Sequence, residues 1–328
     1  MTGKHRVNYR DGFTAQGPLI TIILSNRQAG WYKVSRDIEV TVVIITLGRE
    51  TIYKTLYTLF SQKLKTNFEI LLILQGTVDI NRINEMNTHS VPVRILNYSH
   101  GLGFGRYRNE GISNSRGEII AFIDDDEWTR DDNWLEYLTN PIINGDYYVT
   151  NAGYEIPITG KYFADCISLL GFPGGGALGY EKIWTVSEKG ETGHICSGNF
   201  AFSKKIDIYF NDKLKSGAED ADFGNRLIKE GYCIKYIKEA TVYHCPREGF
   251  INFIKWHFRR GKSIYEFRKL GLLDKKTYND RKRAVKNIFT NALFTKYIFG
   301  VTMLFFVQYF ATAVGYLNAK KSSNSLSK

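Results

Sequence analysis

Residues Glu118-Ile119-Ile120-Ala121-Phe122-Ile123 run without a turn into Asp124-Asp125-Asp126-Glu127. A short, continuous apolar run of this kind reads as a strand buried on both faces of a parallel sheet. Three comparable runs precede it. Val40-Thr41-Val42-Val43-Ile44-Ile45-Thr46 is nearly all β-branched, residues 68–74 end at Gln75-Gly76, and residues 91–96 form the third. After a polar turn at Leu47-Gly48-Arg49-Glu50, residues 51–62 place Ile52, Leu56, Leu59 and Phe60 at helical spacing. Strands alternating with helices predict an α/β protein, with a mixed, mostly parallel sheet flanked by helices. Such sheets bind ligands beyond the carboxyl ends of their strands. Here Thr46, Gln75 and the aspartates occupy those ends.

The 328 residues carry 44 Lys plus Arg against 33 Asp plus Glu, a formal net charge of +11. A hydrophobic share of 43% and a charged share of 23% exclude a disordered tail, a collagen and a disulfide-stapled miniprotein. The length fits one large domain with additions, or two domains. The charge is unevenly placed. Residues 251–286 hold 12 basic and 3 acidic residues, residues 1–37 hold 6 and 2, and Lys296, Lys320, Lys321 and Lys328 add four more charges, which leaves residues 38–250 at −6. An acidic body between basic flanks argues against nucleic acid as the partner. The predicted units are a basic N-terminal extension over 1–37, a body over 38–250, a basic aromatic helical segment over 251–290, and a hydrophobic helix with a basic tail over 291–328.

Cys166, Cys196, Cys233 and Cys245 form no C-x-x-C pair, and the spacing of His194, Cys196, His244 and Cys245 fits no common zinc pattern, so reduced thiols are expected. The apolar run over 18–24 is short for a signal peptide and reads as a strand. Residues 171–176, Gly171-Phe172-Pro173-Gly174-Gly175-Gly176, read as a flexible loop. Residues 297–317 are uncharged and long enough to span a bilayer. An interfacial helix or a buried core helix would read the same way.

The chemistry gathers at four places. Carboxylates crowded at a strand end, as at Asp124, Asp125 and Asp126, repel one another unless a cation sits among them, and oxygen-rich sites suit Mg²⁺ or Mn²⁺. A solvated acidic loop is the plainer alternative. Glu219-Asp220 stands at the start of a helix running to Gly231, where the macrodipole favours carboxylates; there the alternative is a helix cap. Gly198-Asn199 precedes a strand, and His244 ends an apolar stretch that begins at Ala240.

Taken in order, these features resemble glycosyltransferase family 2, the inverting enzymes of GT-A fold. The matching residues are Thr46 and Arg49, Phe68-Glu69-Ile70, Arg108-Asn109-Glu110-Gly111 with Gly117, and Asp124 with Asp126. Gly198-Asn199, Glu219-Asp220 with Arg226 and Gly231, and His244 complete the series. The resemblance covers about residues 38–250. It implies a Rossmann-like GT-A catalytic domain followed by a C-terminal helical, membrane-associated extension. It further implies that Asp126, with Asp124 and His244, holds Mn²⁺ or Mg²⁺ at the diphosphate of a nucleotide-sugar donor. Thr46, Arg49, Gln75, Arg108, Asp124 and Asp125 would line the nucleotide site. Asp220 would be the general base, Glu219 would help orient the acceptor, and Gly198 and Asn199 would lie beside it. Two departures stand out. Gln75 occupies a place where the family often has an aspartate, and Leu47-Gly48 replaces an aromatic and Asn, so the base is open.

The acceptor expected is a glycan or a lipid-linked molecule. The flanks suggest a location on the cytoplasmic face of the cell membrane, with the basic segment toward anionic lipid. The resemblance also implies that Arg259-Arg260-Gly261 reaches back toward the active site. Two alternatives stand beside this reading: a polyprenyl-phosphate glycosyltransferase with an anionic acceptor, and a catalytically silent nucleotide-sugar or glycan-binding protein.

Overall fold

The computed structural model describes residues 20–23, 38–171, 175–272 and 275–325. Most of the N-terminal extension, residues 172–174 of the Gly-rich loop and residues 326–328 lie outside the described residues. The elements in chain order begin with β1 (Ile20–Ile23), β2 (Val40–Thr46), α1 (Thr51–Phe60), β3 (Phe68–Leu74), α2 (Ile80–Met86) and β4 (Val93–Asn97). Next come α3 (Phe104–Asn114), β5 (Ile119–Ile123), β6 (Glu127–Thr129), α4 (Trp134–Ile143), β7 (Val149–Asn151) and β8 (Tyr154–Glu155). They are followed by α5 (Tyr162–Leu169), α6 (Tyr180–Ile183), β9 (Glu191–Thr192), β10 (Asn199–Ser203), α7 (Glu219–Lys229), β11 (Ile234–Tyr236) and β12 (Val242–His244). Three helices close the chain: α8 (Phe250–Lys269), α9 (Lys275–Ala292) and α10 (Ile298–Ser325).

The main sheet has the strand order β1-β4-β3-β2-β5-β10-β7-β11-β9. Strands β4, β3, β2 and β5 run parallel, while β10 is antiparallel to both β5 and β7. The period-2 rule explains why these strands are continuously apolar. Val42, Ile44, Ile70 and Leu72 enter one core, whereas Val43, Leu71, Ile120 and Phe122 enter the core on the opposite face. That second core is aromatic: Phe122 stacks on Phe200 at 5.1 Å and Phe210 on Phe223 at 4.2 Å. A smaller sheet, β6-β12-β8, sits beyond the end of β5.

Charge is also built into the main sheet, at the end away from the aspartates. Glu69 is fully buried and accepts from Arg94 Nε at 2.8 Å and Nη2 at 2.7 Å, from the Thr41 hydroxyl at 3.0 Å, and from the Arg116 amide at 3.0 Å. Removing one partner of a buried ion pair leaves an uncompensated charge. Glu69→Ala is therefore expected to cost about 3–5 kcal/mol of stability. An unfolding free energy from denaturant titration within about 1 kcal/mol of wild type would contradict this account.

The loops after β2 and β3 meet backbone to backbone at the carboxyl edge. A Cβ on Gly48, where φ is +77°, would overlap the Thr77 carbonyl, and one on Gly76 would overlap the Leu47 carbonyl. Only glycine fits both demands at position 48. The departure from the family pattern at Leu47-Gly48 is thus part of a tight join between the two loops.

Helix α10 lies along the protein. It crosses α8 with Gly261 beside the Thr312 carbonyl and Gly315 beside the Phe258 carbonyl. Further contacts run along its length: Gly300 N–H donates to the Tyr162 hydroxyl at 3.1 Å, Tyr265 meets Tyr316 edge-on, and Lys269 Nζ donates to Ser323 Oγ at 2.9 Å. Val301 and Leu304 are buried on this inner face. On the other face Phe299 is 84% exposed, Phe306 67% and Phe310 74%. Within Ile298–Asn324 an 18-residue stretch has a mean hydropathy of 1.7, and the helix is long and apolar enough to cross a membrane. The buried-core-helix alternative does not fit a face of exposed phenylalanines.

Candidate active site at the carboxyl edge of the sheet

From β2 the chain winds through α1, β3, α2 and β4 to one side, and α3 returns it to β5 on the other side. The carboxyl ends of β2 and β5 therefore flank a topological switch point, where α/β sheets bind ligands. Thr46 closes β2 and the aspartates follow β5. The Thr46 hydroxyl donates to Asp125 Oδ2 at 2.7 Å and accepts from the Gly48 amide at 2.9 Å. Arg49 pairs with the same carboxylate and brings Nη1 within 3.4 Å of Asp126 Oδ2. Burial opposes the Arg49 charge, but the hydrogen bond and charge of Asp125, with Asp126 and Asp124, raise its pKa. Asp125 is buried and pins the two loops together. Arg49 stays half-exposed, free on one side to meet a ligand.

The small sheet explains how residue 244 reaches residue 126. Strands β6 and β12 pair antiparallel with His244 opposite Glu127. This sets His244 Nε2 3.6 Å from Asp126 Oδ1. His244 Nδ1 lies 2.7 Å from the Cys245 carbonyl, which only accepts, so Nδ1 carries the hydrogen. Burial lowers the His244 pKa and outweighs the pull of Asp126. The neutral ring thus aims a bare Nε2 lone pair at a carboxylate oxygen, an arrangement that favours a cation between them. Among the described residues no three His, Cys, Asp or Glu side chains form a metal cage by themselves. Two protein ligands completed by substrate phosphate and water suit a metal that travels with a diphosphate.

Asp124 and Glu127 crowd together under Gly198. A Cβ at Gly198 would come 2.7 Å from an oxygen of each. Burial raises the Asp124 pKa to about 7; Arg108 opposes the rise, while Asp126, Asp125 and Glu219 add to it. Burial and the charges of Asp124 and Asp126 raise Glu127 well above the usual carboxylate range. Glu127 Oε2 accepts from the Asp124 amide at 3.2 Å, while its buried Oε1 has no partner among the described residues. Cation deficiency here agrees with the Asp126–His244 geometry. Glu127 was not among the predicted site residues. Its place in the acidic run was its only signal.

Asp220 stands in the first turn of α7, after Gly217 (φ +121°) and Ala218 (φ +68°). A non-glycine residue in the left-handed region costs about 1–2 kcal/mol, and such strain gathers at functional turns. The turn is held from two sides. Glu219 is buried and paired with Arg108 on α3, and Ser216 donates from N at 3.1 Å and from Oγ at 2.6 Å to Glu266 on α8. Burial raises the Glu219 pKa against the pull of Arg108.

Three of the predicted site residues make contacts inside the protein. Arg108 is buried, paired with Glu219, and 5.4 Å from the Phe210 ring centroid. Glu219 is correspondingly committed to that pair and holds the turn from inside. The Asn199 amide donates to the Gly153 and Ala240 carbonyls, both at 2.8 Å, and its oxygen accepts from Trp134 Nε1 at 3.0 Å, so it joins four segments of framework. Gln75 is nearly buried at the end of β3, next to a cavity of about 160 Å³ lined by Leu74, Gly76, Thr77 and Asn97.

Residues 41–209, just over half of the chain, match the family model described as Glycosyl transferase family 2. The chain belongs to glycosyl transferase family 2. A putative glycosyltransferase, EpsH of Bacillus subtilis (strain 168), is 28% identical over 124 residues, which cover 37% of this chain and 36% of EpsH. The chain thus matches about a third of that relative's length. Among solved structures, the mannosyltransferase PcManGT from Pyrobaculum calidifontis, in complex with GDP-Man and Mn²⁺, aligns with a TM-score of 0.57 at 15% identity. The alignment covers 86% of this chain and 88% of that one. The mixed sheet flanked by helices of this family 2 chain is the GT-A fold expected from the sequence.

Proposed function

We propose that this glycosyltransferase moves a sugar from a nucleotide-sugar donor to a glycan or lipid-linked acceptor by a metal-dependent, inverting displacement. The observation that carries the reading is His244 Nε2 facing Asp126 Oδ1 across 3.6 Å, beside a crowd of buried carboxylates. Asp126 and His244 would hold the metal, and a mixed oxygen and nitrogen donor set suits Mn²⁺ better than Mg²⁺. Bound there, a divalent ion neutralises charge on the leaving diphosphate. Thr46 and Arg49 fix Asp125 and shape the wall on the nucleotide side, and Asp124 lies beside the metal ligand. Gln75, with both donor and acceptor groups, sits where a base edge would be read.

Asp220 takes the proton of the acceptor hydroxyl as its oxygen attacks the anomeric carbon. The bond from that carbon to the diphosphate breaks on the opposite side, and the nucleoside diphosphate leaves with the electron pair. One displacement inverts the centre, so one base suffices. In this reading residues 38–250 form the catalytic domain, 251–290 the basic helical segment, and 291–328 the membrane-facing helix and tail.

The test is a screen of UDP- and GDP-sugars for release of nucleoside diphosphate with Mn²⁺ present. One donor class is expected to turn over, and EDTA is expected to stop it, with recovery when Mn²⁺ is added in excess. A rate indifferent to EDTA would overturn metal dependence.

We also propose that α10 lies in the membrane interface on the cytoplasmic side instead of crossing the bilayer. Its inner face is joined along most of its length to α8, which carries Arg259, Arg260, Lys262, Arg268 and Lys269. A spanning α10 would draw those charges into hydrocarbon, at about 2.5–3.5 kcal/mol each by insertion scales. The outer phenylalanines with basic neighbours fit an interfacial anchor. In a flotation assay with vesicles containing anionic lipid, the wild type is expected to float. A Phe306→Asp/Phe310→Asp double variant is expected to remain largely in the soluble fraction, and equal flotation of the two would refute the anchor.

A further inference from the structure

Where α8, α9 and α10 meet, outside the acidic cleft, lies a cavity of about 140 Å³ whose wall mixes three kinds of group. Trp184 and Trp256 contribute indole surface, Arg260 and Arg281 contribute guanidinium, and His257 contributes an imidazole. His257 is buried, and its Nε2 has no hydrogen-bond partner among the described residues. Burial, with Arg260 and Arg247 nearby, lowers its pKa to about 3, so the ring is neutral. A neutral imidazole is satisfied by a hydroxyl, which can both donate and accept. Among the described residues, neither Arg260 nor Arg281 has a hydrogen bond or ion pair to a carboxylate; Arg260 has the Trp256 ring 5.4 Å away. The carboxylate in the wall, Asp280, is engaged by the Thr185 hydroxyl at 2.7 Å and faces Arg283 at 3.9 Å. Two guanidinium groups thus share one cavity without a counter-charge of their own.

The cavity adjoins the catalytic edge. Arg260 lies within electrostatic range of both Asp220 and His194, and His194 stacks on Trp184 at 3.6 Å. An acidic sugar answers each part of this wall. The C–H faces of its ring suit indole, its hydroxyls suit the neutral imidazole, and a planar carboxylate matches the guanidinium forks. A hydrocarbon chain would leave His257 and both arginines unpaired, and a neutral sugar would leave the arginines without a counter-charge. At about 30 Å³ per water the cavity has room for about five waters, close to what one sugar ring displaces.

We propose that this cavity is an acceptor subsite for an acidic sugar residue, a uronic acid of a glycan chain, with its ring against Trp184 and Trp256, a hydroxyl on His257 and its carboxylate between Arg260 and Arg281. The proposal rests on the glycosyltransferase reading and narrows its acceptor to a glycan that carries carboxylate. The nucleophile stays a sugar hydroxyl, as the role of Asp220 as base requires.

Binding is read first without donor or metal, so that arm is independent of the roles given to Asp126 and Asp220. The full-length protein in detergent is titrated with the methyl glycosides of glucuronic acid, galacturonic acid, glucose, galactose and glucose 6-phosphate. Intrinsic tryptophan fluorescence reports, since Trp184 and Trp256 line the cavity. At least one uronide is expected to bind saturably, with its neutral counterpart at least about tenfold weaker. Arg260→Ala and Arg281→Ala are each expected to weaken the uronide about tenfold, with the neutral glycosides, GDP and UDP unchanged. Arg281 is exposed on α9, so its variant decides the matter if Arg260→Ala fails to fold. With donor and Mn²⁺ supplied, the same uronide is expected to raise release of nucleoside diphosphate. If no donor turns over, the metal-dependent reading fails while the titration still decides the sugar site. The proposal is overturned by a lack of saturable binding of both uronides, by equal binding of the neutral glycosides, or by tighter binding of the 6-phosphate. Loss of nucleotide binding in the arginine variants, or a bound uronide that leaves donor turnover unchanged, overturns it as well.

Discussion

Asp126→Asn is expected to reduce sugar transfer by about 100- to 1,000-fold, the scale on which removing one fixed electrostatic partner of a transition state lowers kcat. An amide keeps the size of the carboxylate and loses its charge. The fold should survive, because among the described residues the Asp126 side chain pairs only with Arg49 at 3.4 Å and approaches His244 at 3.6 Å. Relieving a crowded group of carboxylates also removes repulsion, so thermal stability is expected to hold or rise slightly. The signature to look for is therefore a stable protein with a raised Mn²⁺ requirement. Transfer within tenfold of wild type at every Mn²⁺ concentration would sink the assignment. His244→Gln should move in the same direction with a smaller loss, since it leaves the carboxylate in place.

Asp220→Asn carries the second large effect. Loss of a general base typically lowers the rate about 100- to 10,000-fold. The side chain takes no part in the Arg108–Glu219 pair that holds the turn, so donor binding should be retained while kcat falls. Glu219→Gln serves as the contrast. It weakens a buried pair and should lower stability along with activity, whereas Asp220→Asn should lower activity alone. Unchanged turnover with hydroxyl acceptors would remove Asp220 from the mechanism. If only a phosphate acceptor retained full turnover, the nucleophile would be an anion that needs no base.

The parallel strands were legible because each is buried on both faces and therefore apolar throughout. Thr46, Asp124 and Asp126 were legible because α/β sheets bind ligands at one edge. The join of His244 to Asp126 was not. It depends on the three-residue strands β6 and β12, too short for periodicity to register and 118 positions apart where those two residues meet. Arg108 and Asn199 entered the expected site through the family resemblance alone, which does not show what each side chain touches. The Arg108 partner, Glu219, lies 111 positions away, and only the tertiary fold buries the pair. The hydrogen-bonding groups of Asn199 are taken up by a tryptophan and two carbonyls. Short polar side chains look alike in sequence whether they face a cleft or fasten a framework.

The backbone contact of Gly261 with α10 has one more consequence. No side chain separates the two helices there, so neither can lift away from the other without losing the contact altogether. Glu266, one helical turn further along α8, holds the loop that carries Asp220. With α10 at the bilayer surface as proposed, this join would set the height of Asp220 above the lipid, as the arm of a gauge sets its needle. An acceptor would then be selected by how far its reacting group stands off the membrane as well as by what that group is.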